Sequence, residues 1–244
     1  MNSEAYRLEL RSRAGWTAYL MEMSGLPGPR GNLELAHAAA REDPLRLESY
    51  LGIPLQDAPE NTPQVFLVFC AVLGLGVRLG RGEGTALARL RTFANDPRWR
   101  IREAVATALQ LWGDGDLAGL VSAMVDWSSG GYYEQRAAVA ALCEPRLLKD
   151  GQVVSVLFDL LDRVTAGLEQ SGRRQADDFR ALRKALGYGW SVAVAASPAA
   201  GKPRLERWSS SANRDVRWVV RENLKKKRLL RLDPGWVEEC LKVL

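Results

Sequence analysis

One pattern occurs three times along this chain, and it limits the fold more than any other feature. The copies read FANDPRWRIREAVATAL (93–109), WSSGGYYEQRAAVAALC (127–143) and WSSSANRDVRWVVRENL (208–224). Set on Phe93, Trp127 and Trp208, they align without a gap. An Arg stands nine places on (Arg102, Arg136, Arg217) and a Val twelve places on (Val105, Val139, Val220). In each copy an aromatic closes one segment, a short polar turn follows, and an amphipathic segment opens. That is a repeated helix–turn–helix unit. The first two copies start 34 residues apart and the second and third 81, about two periods, so a degenerate unit is expected at roughly 150–196.

No stretch sustains the two-residue alternation of a half-buried strand, so the chain reads as all-α. Asp43-Pro44, Thr62-Pro63, Asp96-Pro97 and Asp233-Pro234 each pair a capping side chain with a proline that needs no donor in the first turn. The pattern predicts a first helix over Ser3 to Ser24, with Trp16, Leu20 and Met23 on one face. It then predicts helices from Asn32 to about Glu42, from Pro44 to Leu51, and from Pro63 to the Gly80–Gly84 cluster. Helix pairs are expected near 85–95 and 97–112, at 117–128 and 132–143, and at 153–169 and 178–196. A last pair is expected at 203–209 and 214–228, and a terminal helix at 234–244. Gly187-Tyr188-Gly189 interrupts a helical pattern, which predicts a kink or a close helix–helix approach.

Asp96-Pro97, Arg102, Ala104, Ala108-Leu109 and Gly113-Asp114 resemble the D-P…R-x-A…A-L…G-D pattern of the HEAT-like repeat family. The likeness covers about 85–232 and is looser in the second and third copies, where Gly130 and Ser211 replace Asp96. It implies a right-handed α-solenoid of helix pairs in one continuous body. Residues 1–60 would be an atypical N-terminal helical cap, 61–232 the repeats, and 233–244 a C-terminal capping helix. It also implies that the second helices line a concave face, and that an Arg such as Arg102, with Asp96 six residues earlier, joins a polar ladder between repeats.

The 244 residues carry a net charge of +5, and the excess is local. Residues 201–232 hold 11 Lys/Arg against 3 Asp/Glu, a net of +8 that leaves −3 for the remainder. On a helix over 214–228, Val216, Val219, Val220 and Leu224 share one face and pack inward. Arg214, Arg217, Arg221, Lys225 and Arg228 fall at spacings of 3, 4, 4 and 3 on another, with Trp218 beside them. Such a stripe can track phosphates while the Trp stacks on a base. The alignment adds Trp99 and Tyr133 in the column of Arg214, and Arg102 and Arg136 in the column of Arg217.

The expected function is therefore a HEAT-like binding protein whose basic C-terminal concave face takes an acidic partner. Nucleic-acid backbone is first, and a protein–protein scaffold meeting an acidic protein surface is the alternative. A third reading comes from resemblance to the bacterial HEAT-like glycosylases that excise alkylated purines. No catalytic Asp matches position by position; Asp126 and Glu134 are the nearest acids to the Trp127–Tyr133 turn. No catalytic residue is assigned.

Other chemistries fit poorly. His37 is the only histidine, which leaves no Ser–His pair, Cys–His pair or multi-His metal site beyond it. Gly74, Gly76 and Gly80 lack dinucleotide-fingerprint spacing. Cys70, Cys143 and Cys240 are odd in number and form no CxxC pair, so no metal, cofactor or disulfide is expected and a reducing cytoplasm is. Met1 to Arg13 is too polar for a signal peptide. The run Val65 to Val77 is shorter than the about 20 residues that span a bilayer, so no membrane association is expected.

Overall fold

The structure is a computed structural model that describes residues 3–244. It is all-helical, with no strand among the described residues. The chain divides into two compact units, Met1–Asp116 and Leu117–Leu244.

The first unit contains α1 (Ser3–Arg11), α2 (Thr17–Glu22), α3 (Leu33–Glu42), α4 (Pro63–Gly80), α5 (Thr85–Ala94) and α6 (Trp99–Gly113). The single helix expected over 3–24 is two. The chain breaks at 12–16, where Trp16 turns inward to 3% exposure and donates from Nε1 to Leu10 O at 2.9 Å. Burying the indole with its N–H satisfied outweighs continuing the helix. The expected helix over 44–51 is a 3-10 turn at Glu48–Gly52.

Helix α4 is the centre of this unit, packing on α2, α3, α5 and α6. With 18 residues and a mean hydropathy of 1.7, it is long and apolar enough to cross a membrane by length and composition, and 72% of it is buried within the protein. Its tightest approach is to α6. A Cβ built on Gly76 would lie 2.7 Å from Cα and C of Ala108, inside the α6 backbone. Only glycine permits this crossing.

The second unit contains α7 (Leu117–Trp127), α8 (Tyr132–Leu142), α9 (Gly151–Glu169), α10 (Asp177–Ala196), α11 (Pro198–Ser209), α12 (Arg214–Leu224), α13 (Lys227–Leu232) and α14 (Pro234–Val243). Helix α10 is its centre and packs on α8, α9, α11, α12 and α13. The glycines that predicted a kink or close approach give the approach. A Cβ on Gly189 would meet Cys143 Sγ and Val139 Cγ1 at 2.9 Å, and one on Gly187 would meet the Trp218 ring at 3.0 Å. Trp190 is fully buried beside Phe158, its Nε1 donating to Thr165 Oγ1 at 3.1 Å. Helix α11 begins at Ser197-Pro198 and carries Pro203 inside it, so the expected start at Pro203 is corrected. The expected helix over 214–228 is also corrected: it ends at Leu224, and α13 starts afresh at Lys227.

Candidate functional site

Helix α12 is fixed at its N-terminus by Asn213. The Oδ1 accepts from the N–H groups of Asp215 (2.8 Å) and Val216 (3.3 Å), and the Nδ2 donates to Glu169 O at the end of α9 (2.7 Å). One side chain thus caps α12 and ties it to α9. Val216, Val219, Val220 and Leu224 are all fully buried, as the sequence pattern requires. Asn223 is buried among them with every polar atom engaged. It donates to Leu186 O (2.8 Å) and Val219 O (2.7 Å) and accepts from Ser191 N (2.7 Å), which binds α12 to α10.

That packing turns the opposite arc of α12 outward. Arg214 and Lys225 are exposed, and Arg217, Trp218 and Arg221 are half-buried. Arg214 and Arg217 have no acidic partner among the described residues. Arg221 donates from Nη2 to Leu244 O at 3.2 Å, and Lys225 pairs with Glu222 at 2.6 Å. The hydrogen bond from Lys225 holds the Glu222 carboxyl below the usual carboxylate range, against the opposing effect of burial. Glu222 therefore offsets one cation of the row.

Arg228 belongs to α13 and leaves the stripe that a continuous helix would have made. Its Nη2 donates to Tyr188 Oη at 2.6 Å, and its guanidinium lies 4.6 Å from the Tyr188 ring centroid. Tyr188, 44% exposed on α10, is an aromatic that the sequence pattern did not single out as a contact residue. Trp218 is seated rather than free: the Arg183 guanidinium lies 4.5 Å from its ring centroid, and its six-membered ring meets Gly187.

Asp215 also escaped the sequence reading. Its side chain is 5% exposed, and its carboxylate is bound by Arg183 at 2.5 Å and by Arg174. This cluster joins the 171–176 turn, α10 and α12. On the outer row of α12, Arg214 and Arg217 remain without an acidic partner among the described residues. In the degenerate repeat, Arg180 stands four residues after its cap position Ala176, as Arg217 does after Asn213 and Arg102 after Arg98. The second copy departs from this spacing, its cap being Gly131 and its Arg136 standing five residues on.

The remaining predicted site residues are placed differently. Tyr133 is half-buried on α8, and Arg136 is buried at 9% exposure and does not join the outward row. Trp99 and Arg102 belong to the first unit. Arg102 donates from Nη1 to the carbonyls of Asp96 (2.6 Å) and Pro97 (2.8 Å), and the Asp96 carboxylate is held by Arg98 at 2.7 and 2.9 Å. The Asp96 carboxylate is thus taken by Arg98, two residues on, and Arg102 bonds the backbone of the same turn. Trp99, 47% exposed, borders an apolar cavity.

No group of three His, Cys, Asp or Glu among the described residues is placed to hold a metal. The three cysteines are buried free thiols, and burial pushes Cys143 up to about 12 and Cys240 up to about 11. No family model, curated protein or solved structure matches this chain.

Proposed function

We propose that the second unit is a HEAT-like solenoid segment that binds nucleic-acid backbone through the outward arc of α12. The observation that carries this is the pair Arg214 and Arg217. They stand on a helix whose other side is fully buried and have no acidic partner among the described residues. Arg221 and Lys225 extend the row, and Tyr188 and Trp218 border it with aromatic surface. Cations on a rigid helix contact phosphates without reading sequence, and the exposed Tyr188 beside them offers a base of any identity a surface to stack on.

The solenoid reading is supported by the order of packing. Helix α8 packs on α10 and α10 on α12, while α7 packs on α9 and α9 on α11, two rows of successive helices. A base-excision role is not assigned, since both acids of α12 are engaged, Asp215 with two arginines and Glu222 with Lys225.

The test is binding of labelled DNA, duplex and single-stranded, at 50 and 200 mM salt. Four phosphate contacts correspond to a loss of about 150-fold across that range for duplex DNA. Arg214→Glu/Arg217→Glu should remove at least two contacts and cut the loss to about 12-fold. A change of less than about twofold in affinity at low salt would show that this row does not meet phosphate. A stoichiometric protein partner that survives nuclease treatment would then make it a protein-docking face.

A further inference from the structure

The first unit contains a cavity that the proposed function does not use. Its volume is about 250 Å³, and its walls come from the turn before α3, from α4 and from the start of α6. Phe66 and Phe69 on α4 have rings parallel to within 6°, with centroids 6.3 Å apart, so that wall is aromatic. Trp99 and Leu33 stand at the mouth, 47% and 50% exposed. Large apolar side chains left in water around a concave apolar pocket mark a ligand site more often than a packing fault.

The pocket is held open by Arg100, which is 7% exposed. Its guanidinium lies 4.5 Å from the Trp99 ring centroid and fixes the indole. Its Nη2 donates to Gly28 O at 2.7 Å and to Asn61 Oδ1 at 3.0 Å, and its Nε stands 3.3 Å from Glu60 Oε1. One buried cation therefore clamps the rim aromatic to the turn that forms the facing wall. The cavity is pre-formed, so a ligand need not pay to order it. Arg100 is spent on this clamp. Arg30, also at the mouth, is exposed and has no acidic partner among the described residues.

We propose that this cavity binds a flat two-ring aromatic carboxylate, with its rings between Phe66, Phe69 and Trp99 and its carboxylate on Arg30. The size follows from volume: an apolar cavity of about 150 Å³ takes one benzene ring, so the larger space here suits a fused pair. The charge follows from the Arg30 guanidinium, which forms charge-assisted bonds to a carboxylate, while Glu103, the one acid of the lining, repels a carboxylate from its own side of the cavity. The inference does not rest on nucleic-acid binding, because every lining residue lies in the first unit.

The experiment titrates 2-naphthoate and neutral 2-naphthalenemethanol into the full chain, read by calorimetry and by the Trp99 indole N–H resonance. Saturable one-to-one binding of 2-naphthoate is expected at about 0.1–1 mM, the range for a ligand of this size. Arg30→Glu should weaken 2-naphthoate by about tenfold or more and leave 2-naphthalenemethanol within about twofold. Thr107→Trp, which fills the cavity from a half-buried position on α6, should abolish both without lowering the melting temperature. If that variant does not fold, the Trp99 resonance of the unaltered chain still decides. A resonance unmoved by 2-naphthoate at about 10 mM overturns the proposal. Equal losses of both ligands in Arg30→Glu overturn the carboxylate assignment, and unchanged binding in folded Thr107→Trp overturns the location.

Discussion

Replacing Gly76 by alanine should destabilise the first unit, although alanine is the better helix former. The added Cβ would stand 2.7 Å from Cα and C of Ala108, where ordinary contact begins at 3.4 Å. The obstacle is backbone, so no side chain can rotate away, and α4 and α6 must part by more than about 0.7 Å, the difference between the two distances, because Ala108 O stands nearer still. A gap of that size forfeits about a quarter of the attraction across the interface. For about 50 atom pairs at 0.1–0.2 kcal/mol each, the loss is about 2 kcal/mol, inside the range of about 1–3 kcal/mol for overpacked cores. Alanine returns up to about 1 kcal/mol through helix propensity, for a net cost of about 1–2 kcal/mol. Gly80 is the control. It lies on the same helix with open space around its Cβ, so Gly80→Ala should stabilise by about 0.5 kcal/mol. Urea unfolding, read in the first unit by hydrogen exchange of α4 amides, should rank Gly80→Ala above the natural chain, then Gly76→Ala, then Gly76→Val. If Gly76→Ala is as stable as the natural chain, the close crossing of α4 and α6 is wrong.

Three further outcomes are expected. Asp215→Asn should cost about 3 kcal/mol by urea unfolding, because it leaves Arg174 and Arg183 facing each other, without weakening DNA binding; a cost under about 0.5 kcal/mol would remove the cluster from the fold's supports. Hydrogen bonds from Arg11 to Glu42, from Arg89 to Glu48 and from Arg78 to Glu83 hold these carboxyls below their ordinary 4.5. The unfolded chain therefore binds more protons as pH falls, so this stability is complete above about pH 5 and is lost as pH drops through the lowered folded values; an acid titration of melting temperature checks it, and a flat profile from pH 6 to 3 would contradict it. Pulsed iodoacetamide labelling at pH 7.5 should leave Cys70 and Cys143 unmodified in the folded chain, with Cys240 reacting first on partial unfolding; labelling of Cys143 at the rate of a free thiol would place it outside the core.

What the sequence disclosed depended on whether a feature is local. Caps at Asn32 and Asp233 were legible because a side-chain oxygen satisfies an N–H group three residues on, and each does so, whereas Thr62 makes no cap bond and α6 is headed by Arg98 rather than Asp96. The buried valines of α12 were legible because helical periodicity alone separates the two faces. The break after Leu224 was not legible: 225–228 is a run of four cations with no proline or glycine, and its bend comes with the packing of Leu229 and α13 on α10. Trp16 misled for the same reason, since its helical spacing to Leu20 gave no sign that its N–H would seek Leu10 O. Asp215 and Arg183 are 32 residues apart, and nothing in either local pattern announces their ion pair. Tyr188 was hidden between two glycines that were read only for backbone effects.

Both central helices, α4 and α10, are notched by glycine where a neighbour crosses them. This has a consequence for inheritance. Every amino-acid replacement of a glycine introduces something larger, so drift at Gly76 and Gly189 has no smaller residue to visit. At most positions of a helical chain, losing a favoured residue can be compensated by enlarging a neighbour. Here the neighbours are a backbone at Ala108 and the packed Val139 and Cys143, and compensation would require a whole helix to move. Related chains should therefore vary freely along the outer row of α12, exchanging Arg for Lys, while these two columns stay fixed. A lineage that lost either glycine would have to remake the helix crossing before it could keep the surface.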